Sequence, residues 1–251
     1  MREGPASVSL RARACAREGR GDVRTGAGAD GEASVVGRAG EPRRYDRCVA
    51  HYFSSSPDSD AKRTPIRVEL ADRDVDVVTA AGVFSPGHVD LGTRQLLRAA
   101  TELPERGLFV DVGCGWGPIA LDMALRRRQA RVVAVDVNER ALELTRENAQ
   151  HLGTTNLEAM TPEDAASLAD IDVIRSNPPI RIGKQALHEL LAAWLPRLSE
   201  DGVAELVVSK NLGADSLAAW IGAELGLACE KLASRKGFRI LRVTRGASSA
   251  G

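Results

Sequence analysis

The chain has 251 residues, of which 43% are hydrophobic, and its 34 basic and 34 acidic side chains give a formal net charge of zero. This composition supports one sizeable buried core and excludes a global positive field that would attract nucleic acid, so any RNA binding must depend on a local patch. No apolar run reaches the roughly 18 to 20 residues that cross a bilayer, and the N-terminus lacks the apolar stretch of a secretory signal. We therefore expect a cytoplasmic protein.

The cysteines and histidines give no sign of a metal site. Cys15, Cys48, Cys114 and Cys229 are far apart and lack the spacing of zinc ligands or of a redox pair. The histidines do not cluster along the sequence either. We expect reduced thiols, no metal, and no catalytic histidine.

Residues 1–44 are rich in Arg, Gly, Ala and Ser and show no hydrophobic periodicity. So little apolar surface cannot offset the entropy of ordering the segment, and we predict a disordered tail. Its arginines could contact RNA phosphates. The alternatives are a solvated extension, because acidic residues are interspersed with the arginines, or a start codon assigned too early.

Residues 45–104 are predicted to form a small β-hairpin followed by a lid segment and a helix. Ile66, Val68 and Leu70 alternate with charged residues, which is typical of a strand with one buried face. Asp90 is placed to cap the helix that follows.

Residues 105–246 alternate between short apolar runs and segments with a helical pattern. The predicted strands are 108–112, 132–135, 157–160, 171–174, 204–208, 229–233 and 238–243, and the predicted helices are 119–125, 139–151, 185–198 and 216–225. This alternation predicts an α/β fold with a Rossmann-like, seven-stranded, mostly parallel sheet. Helices should cover both faces, and the last two strands should form an antiparallel hairpin.

The first strand of this domain ends in a glycine-rich loop whose glycines are Gly113, Gly115 and Gly117. Glycines let a backbone turn sharply and approach a ligand closely, and exposed amides at a helix start can bind a carboxylate. Asp136 ends the next strand, where a carboxylate can accept the hydroxyls of a ribose. The GxGxG spacing, with Asp111 two residues before it, favours S-adenosylmethionine (SAM) over a dinucleotide; a plain tight turn is the alternative.

The fourth strand ends in Asn177-Pro178-Pro179-Ile180, at the sheet edge where ligands of open α/β sheets bind. The two prolines fix the backbone and remove two amide donors, so the loop presents carbonyl oxygens beside the Asn177 side chain. Such an array accepts hydrogen bonds and suits a target that carries an NH₂ group. The alternative is an ordinary Asn-Pro turn at a strand end.

Three segments together resemble the methyltransferase small domain family, which includes 16S rRNA guanine-N2 methyltransferases: HYFSSSP at 51–57, GVFSPGHVDLGT at 82–93 and SNPPIRIGK at 176–184. The resemblance covers residues 50–245 and implies a class I SAM-dependent enzyme. Two departures matter. Ile180 stands where many members place an aromatic residue that stacks on the target base, which leaves Phe84 or Tyr52 as candidates for stacking. The chain is also too short for the duplicated amino-terminal half of the longer rRNA enzymes, so RNA docking must differ.

By the same resemblance, Asp111 and the glycine loop hold the methionine end of SAM, and Asn177 to Ile180 form the catalytic loop. Phe84, Asp90 and Thr93 would close over the cofactor, and Asp164 would contact its adenine. Asp90 and Asp164 could instead only cap helices. Cys114 and Trp116 are interpreted as packing or lid residues.

These observations predict a SAM-dependent N-methyltransferase of an exocyclic amino group, with guanine N2 of ribosomal RNA as the favoured target. Arg181 and Lys184 flank the catalytic loop and could hold a phosphate. One alternative is methylation of a protein glutamine or a small-molecule amine, although release-factor-type enzymes usually carry an aromatic residue in place of Ile180. Another is a noncatalytic SAM-binding RNA module, against which the intact Asn-Pro-Pro sequence argues.

Overall fold

The computed structural model describes residues 62–179 and 183–246. The predicted tail over 1–44, the candidate stacking residue Tyr52, and the predicted site residues Ile180 and Arg181 lie outside these ranges. No helix in the described ranges is both long and apolar enough to span a membrane.

The described residues form an amino-terminal hairpin and a large sheet with helices on both faces. The strands are β1 Thr64–Leu70, β2 Arg73–Thr79, β3 Leu108–Val112, β4 Arg131–Val135, β5 Leu157–Met160, β6 Ile171–Ser176, β7 Leu198–Ser209, β8 Ala228–Arg235 and β9 Phe238–Thr244. The helices are α1 Leu91–Ala99, α2 Pro118–Arg126, α3 Glu139–His151, α4 Lys184–Trp194 and α5 Ala214–Leu225. Short 3₁₀ turns cover Leu195–Arg197 and Lys210–Leu212.

The large sheet has the strand order β5-β4-β3-β6-β7-β9-β8. Strands β3 to β7 pair in parallel, and β9 lies antiparallel to both β7 and β8. This confirms the predicted seven-stranded, mostly parallel sheet with a final antiparallel hairpin. The chain builds outward from β3 to β5 and then returns to add β6 on the other side of β3. The crevice at the carboxyl ends of β3 and β6 is therefore the topological switch point, where ligands of open α/β sheets bind.

The central strands are buried on both faces, which explains their continuous apolar runs. In β3, Phe109 packs into one hydrophobic cluster with Val132, while Val110 packs into a second cluster with Val133 on the opposite face of the sheet. This burial fixes β3 and β4, and with them the loops that follow each strand.

The β1–β2 hairpin packs against α2 and α3 through a third hydrophobic cluster. Two buried polar side chains hold its backbone. Asp122 Oδ1 accepts from the Ala71 amide at 2.7 Å, and Asn148 exchanges two hydrogen bonds with the Val78 backbone at 2.7 and 2.9 Å. This attachment places residues 80–90 beside the glycine loop. The domain boundary near residue 104 stays a prediction.

The largest differences from the predicted boundaries lie between α4 and β7. The helix predicted over 185–198 ends at Trp194, and β7 begins at Leu198 rather than near 204. Pro196 has no amide to continue a helix, and Leu198 pairs with Ile171. Gly202 makes the pairing possible, because a Cβ there would lie 2.5 Å from the Ile171 carbonyl oxygen. The polar residues before Gly202 lack the apolar pattern of a strand, so this part of β7 was not predicted from the sequence.

Candidate active site

Two loops meet at the switch point of the sheet. The Ser176 hydroxyl at the end of β6 donates to the carbonyl of Val112 at the end of β3, at 2.6 Å. Beyond it, the Pro179 ring approaches the glycine loop, since a Cβ built on Gly113 would lie 3.7 Å from Pro179 Cδ. The predicted cofactor loop and the predicted catalytic loop therefore form one cleft.

The glycine loop uses its glycines for two different purposes. All three have left-handed backbones, with φ of +77° at Gly113, +57° at Gly115 and +94° at Gly117. A Cβ on Gly117 would lie 2.9 Å from Thr145 Oγ1, so this glycine is required for packing against α3. A Cβ on Gly115 would meet nothing closer than 3.8 Å. Gly113 and Gly115 thus shape the open side of the loop, and Gly117 lets the loop pack against α3.

A carboxylate lies under the loop at the end of β3. Asp111 is fully buried, and its Oδ2 accepts from the Ala120 amide at 3.0 Å, near the start of α2. Its Oδ1 has no hydrogen-bond partner. Burial raises the pKa of Asp111 to about 8, and the neighbouring Asp136 adds to the rise. Asp111 thus keeps one buried oxygen without a partner, and a cationic ligand at the loop would favour its ionised, accepting form.

A second carboxylate follows β4. Asp136 is 9% exposed; its Oδ2 accepts from the Gly115 amide and its Oδ1 from the Asn138 amide, each at 2.9 Å. Burial raises the pKa of Asp136, and hydrogen bonds from the backbone amides of Asn138, Gly115 and Val137 oppose that rise. A carboxylate can accept about four hydrogen bonds, so these three do not fill it. Asp136 is therefore oriented by the loop and still able to accept from a ligand.

The segment between the hairpin and α1 covers the loop. Phe84 is 54% exposed, and its Cβ lies 3.8 Å from the position of a Cβ built on Gly115. Asn138 holds this segment, because its Nδ2 donates to the Gly82 carbonyl at 2.9 Å. An exposed phenylalanine thus lies next to Gly115 of the glycine loop.

The orientation of the Asn177 side chain is fixed by helix α1. Its Nδ2 donates to Asp90 Oδ2 and to Thr93 Oγ1, each at 3.0 Å. Asp90 Oδ2 is also the cap of α1 and accepts from the Gly92 amide at 2.7 Å. An ionised carboxylate can only accept, so the amide nitrogen must face Asp90 and the amide oxygen must face away. Within the described ranges, Asn177 Oδ1 has no hydrogen-bond partner.

Comparison with known proteins identifies the family. The methyltransferase small domain family matches residues 74–242, which is more than half of the chain. The chain belongs to the methyltransferase small domain family.

Two relatives are similar to this chain over most of their own length. An uncharacterized protein of Bacillus subtilis is 34% identical over 169 residues, which cover 66% of this chain and 84% of the relative. A protein of Stutzerimonas stutzeri named ribosomal RNA small subunit methyltransferase C is 31% identical over 234 residues, covering 87% of this chain and 68% of that protein.

Solved structures show the same fold. A 16S rRNA N2 methyltransferase of T. thermophilus, solved with AdoMet and guanosine, superposes with a TM-score of 0.63 at 24% identity. The match covers 75% of this chain and 52% of that one, so this chain spans about half the length of that enzyme. A ribosomal protein L11 methylase of Lactobacillus delbrueckii gives a TM-score of 0.51 at 21% identity, with coverage of 63% of this chain and 84% of that chain. The chain is a class I SAM-dependent methyltransferase, but its fold alone does not distinguish an RNA substrate from a protein substrate.

The residues of the cleft fit SAM, the cofactor of this family, on electrostatic grounds. Asp111 and Asp136 are buried, and no ion pair within residues 62–179 and 183–246 neutralises either of them. SAM carries an ammonium and a sulfonium, which would favour the ionised form of these two acids, whereas the anionic pyrophosphate of a dinucleotide would disfavour it. The unpartnered Asp111 Oδ1 suits an N–H donor of the cofactor. The open glycines leave room for close approach of a ligand to the backbone.

The remaining predicted site residues lie at the margins of the cleft. Lys184 is exposed at the first position of α4, directly after the catalytic loop. Asp164 lies in an exposed turn after β5, where its carboxylate accepts from the Thr161 hydroxyl at 3.0 Å and its amide donates back to that hydroxyl. Thr161, rather than Asp164, therefore caps this turn. The roles of Lys184 and Asp164 in ligand binding stay predictions. No group of His, Cys, Asp and Glu in the described parts of the chain could hold a metal ion.

Several residues that organise the site were not singled out from the sequence. Ser176 joins the two loops, Asn138 supports Asp136, and Thr145 receives Gly117. Of these three residues, only Asn138 could have been recognised from the sequence. An Asn two residues after a strand-end Asp and directly before a helix is typical of a helix cap. The other two contacts join segments that are distant in the sequence. Cys114 and Trp116 are buried, as expected for packing residues.

Proposed function

We propose that this enzyme transfers the methyl group of SAM to the exocyclic N2 amine of a guanine in ribosomal RNA. The observation that carries the proposal is the fixed orientation of the Asn177 side chain. Its nitrogen is held by Asp90 and Thr93, so its oxygen faces away from them and can accept a hydrogen bond, while the ring of Pro179 lies against the glycine loop.

An acceptor array is what an aromatic amine requires. The lone pair of such a nitrogen is delocalised into the ring, so the amine is a poor nucleophile. Asn177 Oδ1 and the Pro178 carbonyl would accept its two hydrogens, which turns the lone pair towards the methyl donor and stabilises the charge that develops on nitrogen. No hydrogen bond within the described ranges ends on the Pro178 carbonyl oxygen.

The other residues of the site would bind SAM and orient it. Asp111 and the amides of the glycine loop would hold the methionine end of SAM, Asp136 its ribose, and Asp164 its adenine. Bound SAM supplies an electrophilic methyl group on sulfur. The protein's own contribution is therefore placement in a near-attack geometry rather than activation by a covalent nucleophile.

A guanine in RNA is favoured by the relatives and by the shape of the cleft. The Stutzerimonas relative is named a ribosomal RNA methyltransferase, and the T. thermophilus structure contains guanosine. Phe84 supplies an exposed ring over the cleft on which a flipped base could stack. Lys184 and Arg181 flank the catalytic loop in the sequence and would contact phosphates.

The second candidate is methylation of a protein glutamine, whose amide NH₂ could use the same two acceptors. The exposed Phe84 ring favours a base over an amide, because a planar base offers a large stacking surface. A noncatalytic SAM-binding module is a third reading, and it would leave the fixed Asn177 amide without a purpose.

The substrate is tested by incubating the protein with methyl-labelled SAM and separate pools of total RNA and total protein. We expect label in RNA, recovered after digestion as N2-methylguanosine and identified by mass spectrometry. Label in protein alone would overturn the RNA assignment. Label in RNA on another amino group, such as adenine N6, would keep the chemistry and overturn the choice of base.

A further inference from the structure

A cleft of about 760 Å³ lies between the β1–β2 hairpin and helix α1, outside the catalytic loops. One wall is strand β1 and the other is α1, and the ends of α2 and β6 contribute to the lining. Six arginines line it: Arg67, Arg94, Arg98, Arg126, Arg127 and Arg175. A protein with zero net charge thus concentrates basic side chains in one concave surface.

Four of these arginines have ion-pair partners. Arg67 pairs with Asp74 at 3.6 Å on the hairpin. Arg126 pairs with Asp72 and with Asp122, at 2.6 and 2.9 Å. Arg127 pairs with Glu102 at 3.1 Å, and Arg175 forms an ion pair with Glu205 at 2.8 Å. These contacts hold the inner part of the cleft together and neutralise the acids there.

Arg94 and Arg98 are different. Both are exposed, and within the described ranges neither side chain has a hydrogen bond or an ion pair. They are four residues apart on α1, so they project from the same face with about 5–6 Å between their Cβ atoms. The lining acid without an ion-pair partner in the described ranges is Glu69, on the opposite wall. The charged side chains of the cleft that lack an ion-pair partner therefore carry a net positive charge.

The cleft and the catalytic site share helix α1 and the segment before it. Arg94 directly follows Thr93, whose hydroxyl holds the Asn177 amide, and Gly87 and His88 line the cleft just before Asp90. A helix of this length extends about 13 Å, so a ligand that follows α1 away from Asn177 would pass Arg94 and then Arg98.

We propose that this cleft binds the sugar-phosphate backbone of the RNA substrate next to the target nucleotide, with Arg94 and Arg98 contacting successive phosphates. The inference rests on the proposed RNA function and adds to it the path of the strand. Guanidinium groups pair with phosphate oxygens through two parallel hydrogen bonds, and two such contacts supply the local patch that the neutral chain requires.

The test compares two double variants of the full chain, Arg94→Gln with Arg98→Gln, and Arg106→Gln with Lys231→Gln. The second pair removes the same charge from exposed residues that do not line the cleft. Binding of a fluorescein-labelled RNA stem-loop is measured by anisotropy at several salt concentrations, without methyl transfer. SAM affinity and transfer to saturating RNA are measured separately.

We expect the cleft variant to bind RNA about tenfold more weakly at 0.1 M salt and to lose about 1 to 2 from the slope of log affinity against log salt. Its SAM affinity and its rate at saturating RNA should stay within about twofold of the unmodified protein. Equal RNA binding by the two double variants would overturn the cleft proposal, even if RNA is methylated normally. Transfer of methyl groups to protein alone would instead overturn the proposed function.

Discussion

Asp111 shows how a single residue can combine a structural cost with a binding role. It is fully buried next to a second acid, and one of its oxygens lacks a partner. Such an arrangement disfavours the charged form of the folded protein in the absence of a cation. A cationic cofactor relieves this cost, so the same feature that weakens the free protein favours SAM.

The raised pKa of Asp111, about 8, makes the stability of the free protein pH-dependent. The folded state keeps its proton up to that pH, whereas the unfolded chain releases it near pH 4, so stability falls as pH rises between these values. We expect Asp111→Asn to match the unmodified protein near pH 4 and to become relatively more stable towards pH 8, by up to about 1.4 kcal/mol per pH unit.

Thermal unfolding at pH 4, 6 and 8 without SAM measures this difference. Asp164→Asn, the same substitution at an exposed position, is the matched control. A gap between Asp111→Asn and the unmodified protein that stays the same from pH 4 to pH 8 would contradict the burial argument.

The positions of the site residues were partly predictable from the sequence. The positions of Asp111, the glycines and Asn177 at strand ends follow from local pattern, because parallel strands bring their carboxyl ends to one edge. The contact of Asp90 and Thr93 with Asn177 does not follow from local pattern, since it joins residues more than 80 positions apart. Only the fold brings that carboxylate to the amide nitrogen.

At the scale of elements, helix α1 is held to β6 at both ends. Its start holds Asn177 through Asp90, and just beyond its end Thr101 bonds to both members of the buried Arg175–Glu205 pair, with contacts of 2.6 to 2.7 Å. A buried ion pair of this kind contributes little net stability but fixes geometry, because breaking it leaves a charge without a partner. We infer that α1 acts as a brace that keeps the Asn177 amide in one orientation.

Asp90→Asn tests this brace. Asn is also a good helix cap, so α1 should still form. It offers a donor as well as an acceptor, however, so it no longer forces the Asn177 nitrogen to face it. We expect kcat to fall about 10- to 100-fold with protein stability little changed, measured by methyl transfer and thermal unfolding.

The affinity for SAM separates two roles for Asp90. A positioning role predicts a SAM affinity within a few fold of the unmodified protein, measured by calorimetry. A large loss of SAM affinity together with an unchanged kcat would instead assign Asp90 to the cofactor, as the family resemblance implied. In that case the brace interpretation would be wrong.

Element boundaries were predicted well where burial is strong and poorly where it alternates with polar turns. Strands β3 and β5 and helix α3 match their predicted bounds, because apolar runs and a capping Asn138 mark them. The start of β7 was missed since Ser199 to Asp201 resemble a turn. Their pairing is fixed by the close approach of Gly202 to β6, which is a tertiary contact.

At the scale of the whole molecule, the fold assembles the site from segments that are far apart in the sequence. The strand alternation predicted the sheet, and the switch point between β3 and β6 predicted where its ligand should bind. The attachment of the hairpin through Asp122 and Asn148 was not predictable. Both are polar residues on helices, and each is buried because it bonds to the backbone of the hairpin, which is distant in the sequence. That attachment creates the arginine-lined cleft.

The central claim is that the Asn177 side-chain oxygen accepts from the target amine beside bound SAM. Single-turnover methyl transfer from labelled SAM to RNA by Asn177→Ala tests it most directly, with SAM affinity measured by calorimetry and Gln185→Ala, an exposed amide on α4, as the control. We predict that Asn177→Ala lowers the transfer rate at least about 100-fold with SAM affinity within a few fold, and that the control stays unchanged. A transfer rate in Asn177→Ala equal to that of the unmodified protein would contradict the account.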